Sequence, residues 1–279
     1  MKATILDITG KKKSEITFPS QFNEEIRADL IKKVAVAAQA NKRQKYGATH
    51  KAGMKHSATV SRRRKDYRGS YGHGISRVPR KVILRRGTRF VWIGAIVSGM
   101  VGGRRAHPPK TEKNWDQKIN NKERLKAIRS AMAATLNKDM LKESGFSTFE
   151  PIVVDKLESI NKTKDLLITL NALNLDKELE RSREKKIRAG RGTSRGRKYQ
   201  RKKGPLVVVV NSDSILKAAQ NIPGLEIVSV DKLNITLLAP GARAGRLTIW
   251  SKGALEKLEK EQLFTGKKVA VKKIEKVAK

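Results

Sequence analysis

Leu206-Val207-Val208-Val209-Val210 is the stretch that decides the fold. An unbroken, largely β-branched run has no polar side to turn toward water. Both of its faces must be covered, as in a strand inside a parallel sheet. Asn211-Ser212-Asp213 follows it and reads as the cap of a helix from Ile215 to Gln220. Glu226-Ile227-Val228-Ser229-Val230 is the next strand, and Leu237-Leu238-Ala239-Pro240-Gly241 a turn after a short apolar segment. Leu247-Thr248-Ile249-Trp250 is another strand, with Ser251 capping a helix through Glu261. Strands alternating with helices predict an α/β fold, a parallel sheet flanked by helices on both faces.

The same alternation runs upstream. Thr4-Ile5-Leu6-Asp7-Ile8 reads as a strand, and Glu15-Ile16-Thr17-Phe18 returns as a second after the turn at Gly10. A helix is expected to start at Ser20 or Asn23 and to close at Asn41, with Ile26, Leu30, Val34, Ala37 and Ala38 on one apolar face. Asn120 and Asn121 are candidate caps of a helix that carries Leu125, Ile128, Met132 and Leu136. Pro151-Ile152-Val153-Val154 is a short strand, and Thr163 to Leu173 a helix.

Between the first two helices the chain changes character. From Asn41 to Lys110 it carries Lys42, Arg43, Lys45, Lys51, Lys55, Arg62, Arg63, Arg64, Lys65, Arg68, Arg77, Arg80, Lys81, Arg85, Arg86, Arg89, Arg104, Arg105 and Lys110. Asp66 is the single acid among them. Glycines recur throughout. Such a segment buries too little apolar area to offset its ordering entropy. Cations this dense order against a polyanion, and the polyanion indicated is nucleic acid. A merely solubilising loop would have no use for Tyr46, Tyr67, Tyr71, Phe90 and Trp92. A loop this long lies far outside the usual connection length. The expected organisation is therefore one α/β body, 1–40 with 111–264, a long extended basic internal loop at 41–110, and a basic tail at 265–279. Phe90 to Ile93 and Ala95 to Val97 form an apolar patch that fits a small hairpin, a helix or a partner-facing surface. The tail fits a marginal helix or a disordered arm.

A second basic stretch spans Arg181 to Lys203, with Arg188, Arg191, Arg195, Arg197, Lys198 and Arg201 expected to meet phosphates. Its Gly190-Arg191-Gly192-Thr193-Ser194-Arg195-Gly196 is not a nucleotide-binding loop, which would follow a buried strand. Gly190 is expected to end a helix instead. Tyr199 fits either stacking on a base or packing in a groove.

The chain has 279 residues and a formal charge of +37, from 63 basic and 26 acidic side chains. Hydrophobic residues make up 38%, enough for a core. There is no cysteine, so disulfides and thiolate metal sites are excluded. No window is long and apolar enough for a membrane span, and the start does not read as a signal peptide. His50, His56, His73 and His107 lack metal-ligand spacing. Asp213 and Asp231 lie just beyond predicted strands, where α/β enzymes keep acids. No nucleophile pattern accompanies them, so they read as a helix cap and a turn. No catalytic residue, cofactor or metal is expected. A DNA-compacting protein is the alternative to an RNA-binding one. DNA architectural proteins usually present recurrent or dimeric elements, whereas a single irregular loop suits folded RNA.

Gly102-Gly103-Arg104-Arg105-Ala106-His107-Pro108-Pro109-Lys110, followed by Asn121-Lys122-Glu123-Arg124, resembles ribosomal protein four of the large subunit, archaeal and eukaryotic branch. Ala189 to Tyr199 is similar to that family's second signature, and Leu238-Ala239-Pro240-Gly241 with Gly245-Arg246-Leu247 agrees as well. The resemblance covers nearly the whole chain, and the length matches archaeal members. It implies a cytoplasmic structural constituent of the large ribosomal subunit that binds large-subunit rRNA and supports assembly. It implies neighbouring large-subunit ribosomal proteins as partners, no membrane and no homo-oligomer. It further implies that the loop lines the peptide exit tunnel. Ser70, Tyr71, Gly72, His73, Gly74 and Ile75 would form the tip nearest the nascent peptide.

Overall fold

The computed structural model describes residues 2–266. The expected basic tail lies, from Lys267 on, outside the described residues. The chain divides into two compact units, Met1–Lys42 with Asp116–Lys279, and Arg43–Trp115.

In the first unit, β1 (Lys2–Leu6) and β2 (Lys12–Thr17) form an antiparallel pair, and α1 spans Ala28–Asn41. The second unit holds β3 (Arg80–Arg86) and β4 (Arg89–Gly94). The first unit resumes with α2 (Asn121–Ala134), α3 (Lys138–Glu143), β5 (Ile152–Val154), α4 (Thr163–Ala172) and α5 (Asp176–Arg183). Then come β6 (Lys185–Ile187), β7 (Tyr199–Arg201), β8 (Leu206–Val209), α6 (Asp213–Ala219) and β9 (Glu226–Ser229). The short α7 (Ile235–Leu238), β10 (Thr248–Ser251) and α8 (Lys252–Lys260) complete it.

The central sheet has the order β2-β1-β5-β10-β8-β9 and is parallel except at the β1–β2 edge. Alternation along the strands sorts the core into two layers. Ile5, Val153, Leu206, Val208 and Trp250 face a layer containing Val34 of α1, Met132 of α2 and Leu258 of α8. Ile152, Val154, Val207, Val209 and Ile249 face Leu166 and Leu170 of α4 and Ile215 of α6. β8 is buried at every position, the burial that a continuous apolar run requires.

Several local expectations are corrected. Ser20–Asn23 is only a 3-10 turn that buries Gln21 and Phe22, and α1 begins at Ala28. The backbone N–H of Arg27, just before that helix, donates to Ser130 Oγ at 2.7 Å, a long-range partner that local sequence cannot reveal. Asn120 and Ser212 stand at N-cap positions without making side-chain cap bonds. Ser251 does cap α8, its Oγ accepting from Ala254 N at 3.1 Å. The apolar segment before Pro240 is a helical turn, α7, capped by Asn234 Oδ1 accepting from Leu237 N at 3.1 Å. Gly190 does not end a helix. A strand intervenes after α5, and Gly190 lies in the loop between β6 and β7, with φ +81°.

In the second unit Ala95 to Val97 of the apolar patch follow beyond β4, while Phe90 to Ile93 lie in the antiparallel hairpin β3–β4, with Val82 opposite Trp92 and Arg85 opposite Phe90. Its two-residue turn is Gly87-Thr88, where Gly87 takes φ +56°. The outgoing and returning arms lie side by side: Ala48 N donates to Pro109 O at 3.1 Å. A Cβ on Gly53 would come within 2.5 Å of the Gly103 and Arg104 backbone, so only glycine allows that approach. The unit has almost no core. Ala95 and Ser70 are its fully buried side chains among the described residues.

Candidate nucleic-acid interface

The cations of the second unit are displayed on its surface. Arg43, Lys45, Lys51, Lys55, Arg62, Arg63, Arg64 and Lys65 are exposed on the outgoing arm, and Arg104, Arg105 and Lys110 on the return. Arg77, Arg85, Arg86 and Arg89 are exposed as well, while Arg68, Arg80 and Lys81 are half-buried. None of them takes part in an ion pair with a carboxylate among the described residues. Those pairs all lie in the first unit. Such a surface repels itself until a polyanion neutralises it.

Aromatic rings hold several guanidinium groups in fixed positions. Arg68 lies over Phe90 at 5.7 Å and Tyr67 at 5.5 Å, Arg80 over Trp92 at 5.6 Å, and Arg77 over Tyr71 at 4.4 Å. Tyr67–Phe90 and Phe90–Trp92 meet edge to face. Near the start of the unit, Trp115 carries Arg43 at 5.6 Å and Lys113 at 5.7 Å, and packs on Tyr46 at 4.8 Å. A cation stacked on a ring loses side-chain freedom before any ligand arrives, which lowers the ordering cost of binding.

At the expected tip, Tyr71, Gly72, His73 and Gly74 are exposed and Ile75 is half-buried. Gly72 and Gly74 take φ of +79° and +65°, and a Cβ at either would meet nothing within 4 Å. They are glycines for backbone reasons, not for lack of room. Ser70 departs from the expected tip: it is buried, and its Oγ has no hydrogen-bond partner.

The second basic stretch is a hairpin. β6 and β7 pair in antiparallel register, with Ile187 opposite Tyr199. Lys185 and Lys198 flank the Tyr199 ring at 5.5 and 5.6 Å. The connecting loop is tied by its own backbone: Arg188 N donates to Lys198 O at 2.8 Å, and Arg197 N to Gly192 O at 2.9 Å. Arg191, Arg195, Arg197, Lys198 and Arg201 point their charge at solvent, while half-buried Arg188 donates its Nε to Arg197 O at 3.2 Å.

Two anchors were not legible as such. Arg246 is fully buried and donates to Gly204 O (3.0 Å), Leu237 O (2.8 Å) and Glu226 Oε2 (2.6 Å). Glu226 also pairs with Lys203 at the foot of the β6–β7 hairpin. Burial alone would raise the Glu226 carboxyl. The Lys203 hydrogen bond and the charge and hydrogen bond of Arg246 outweigh it, holding Glu226 below the usual carboxylate range. Burial pulls Arg246 below its ordinary value, against the opposing charge of Glu226. The other anchor is Asn41. Its Nδ2 donates to Gln117 O at 3.2 Å, and its Oδ1 accepts from Gln117 N at 2.8 Å. This two-way clamp ties the end of α1 to the chain just beyond the basic excursion. An isolated asparagine gives no sign of a partner that far along the chain.

No group of His, Asp and Glu among the described residues could hold a metal. Asp231 is engaged by Lys257 Nζ at 2.6 Å, and Asp213 lies in the first turn of α6.

Residues 16–261 match the model of the ribosomal protein L4/L1 family. The chain belongs to that family. It is 49% identical over 267 residues to the large ribosomal subunit protein uL4 of Nanoarchaeum equitans, covering 95% of this chain and 100% of that one. It is 45% identical to uL4 of Methanothrix thermoacetophila, covering 93% and 99%, and 42% identical to uL4 of Archaeoglobus fulgidus, covering 92% and 98%. The matched range, 16–261, includes both glycine–arginine segments, Gly102–Arg105 and Gly190–Arg197. In this structure both signatures lie in surface segments outside the central sheet.

Proposed function

We propose that this chain is a non-catalytic structural protein of the large ribosomal subunit that binds large-subunit rRNA. The observation that carries the reading is the array of exposed cations without carboxylate partners, several of them pre-stacked on rings. The body, 1–40 with 111–264, serves as the folded support. The loop, 41–110, follows rRNA and supports assembly, and the β6–β7 hairpin grips a second stretch of phosphate backbone. Neighbouring ribosomal proteins are the expected protein partners. The DNA-compacting alternative finds no support among the relatives. In the finer part of the proposal, Tyr71 to Gly74 reach the peptide exit tunnel. There a small, nearly neutral tip would shape the passage of the nascent chain without chemistry.

The test is affinity for a large-subunit rRNA fragment as a function of salt, with duplex DNA of equal length as competitor. Contacts to on the order of ten phosphates give a log–log slope of roughly −7 to −9. A flat dependence, or equal competition by DNA, refutes the reading.

A further inference from the structure

The single acid of the basic loop, Asp66, follows directly on Arg62 to Lys65 of the outgoing arm. Asp66 lines an open cleft of about 740 Å³ together with Tyr67, Arg68, His73, Phe90 and Trp92. That volume is within the ~300–1,000 Å³ typical of small-ligand sites. A carboxylate beside an RNA backbone costs affinity, because it repels every phosphate near it. It favours binding only where it meets hydrogen-bond donors, and in RNA these are base N–H groups and ribose 2′-hydroxyls; in a cleft lined by flat rings the base edge is the donor at hand.

The local backbone holds Asp66 in place. Lys65 and Arg68, on either side of Asp66-Tyr67, adopt left-handed φ of 54° and 68°. Both conformations are disfavoured for side chains other than glycine. Gly69 N closes the turn onto Asp66 O at 2.9 Å. Ser61 Oγ donates to Asp66 Oδ2 at 2.5 Å, while Oδ1 accepts no hydrogen bond among the described residues. Arg68 adds a second unmet demand: its Nε is buried without a partner. The guanidinium over Tyr67 and Phe90, together with the edge-to-face Phe90–Trp92 pair, supplies flat surfaces of the kind on which unstacked bases are held.

We propose that this cleft receives one unstacked RNA base and that Asp66 reads its N–H edge. Guanine fits best, because its N1–H and N2–H donors match the two oxygens of a carboxylate. Arg86 and Arg89, which also line the cleft, serve the flanking phosphates. The inference rests on the proposed rRNA-binding role and adds base selectivity to it.

The probes are oligouridine strands with a single central guanosine, inosine or adenosine, titrated against the full chain at fixed salt. Wild type should prefer guanosine over adenosine by about tenfold, with inosine between, since a good bidentate contact gives ~1–3 kcal/mol of discrimination. Asp66→Asn keeps an oxygen for Ser61 and so preserves the turn. It should abolish the preference, so that the guanosine, inosine and adenosine strands bind alike. Phe90→Leu/Trp92→Leu should also lose the preference. Arg62→Gln/Arg63→Gln/Arg64→Gln should weaken all strands alike and keep it. Salt-dependent binding with no base preference in wild type, or an Asp66→Asn effect equal on all strands, overturns the inference and leaves the rRNA-binding role standing. Absence of salt-dependent binding to any strand overturns both.

Discussion

Glu226→Gln should destabilise the body far more than the loss of an ordinary surface charge. Glu226 is the counter-charge of Arg246, whose side chain is 0% exposed, while Glu226 itself is 29% exposed. The glutamine amide can still accept one hydrogen bond, so what disappears is the charge opposite a buried guanidinium. Leaving one member of a buried pair uncompensated costs about 3–5 kcal/mol. Partial exposure of Glu226 admits water, which reduces the expectation to roughly 2–4 kcal/mol. At about 2–4 °C per kcal/mol for a domain of this size, the melting midpoint should fall by roughly 5–15 °C. Lys203→Gln removes the other partner of Glu226, but that side chain is 55% exposed, and its loss should cost under about 1 kcal/mol. Urea and thermal unfolding of the full chain, followed by circular dichroism, separate the two variants. Equal midpoints for Glu226→Gln and Lys203→Gln, or a Glu226→Gln loss below 1 kcal/mol, would show that Arg246 is satisfied by its carbonyl partners alone.

The same pair makes stability depend on pH. The folded Glu226 carboxyl sits below its ordinary value, so its contribution is complete above the unfolded value of about 4.3 and is lost as pH falls through the folded one. Wild type should therefore lose stability below about pH 4.3 more steeply than Glu226→Gln, and parallel curves would exclude the linkage. Replacing 43–115 with a short glycine–serine linker should leave the body folded within about 1 kcal/mol, because Asn41 and Gln117 already hold each other; loss of a cooperative melt would show that the body depends on the excursion. Amide exchange of the isolated protein should show almost no protection across the exposed tip, Tyr71 to Gly74, rising once rRNA is bound; strong protection there without RNA contradicts the role given to the polyanion. A photoreactive group at Tyr71 should crosslink to a stalled nascent peptide in assembled ribosomes, and crosslinks to RNA alone would make the tip a structural contact.

The sequence by itself determined the α/β alternation, the buried β8 run and the location of both basic segments. These are properties of neighbouring residues: period, branching and charge density act within one element. Arg62 to Lys65 need no partner in the chain for their charge density to be read. Only the tertiary structure decided which cations are spent internally and which remain free. Arg246 and Glu226 belong to separate elements and look like surface charges until the fold buries the guanidinium. Gly190 follows a charged helix in sequence, yet pairing of Lys185–Ile187 with Tyr199–Arg201 places it in a hairpin loop. Asp66 is one acid in a run of cations. It gained a role only when the β3–β4 hairpin brought Phe90 and Trp92 to the same cleft. Local patterns fix what a segment can form. Which side chains meet across dozens of residues depends on register and packing, and those exist only once the chain has folded.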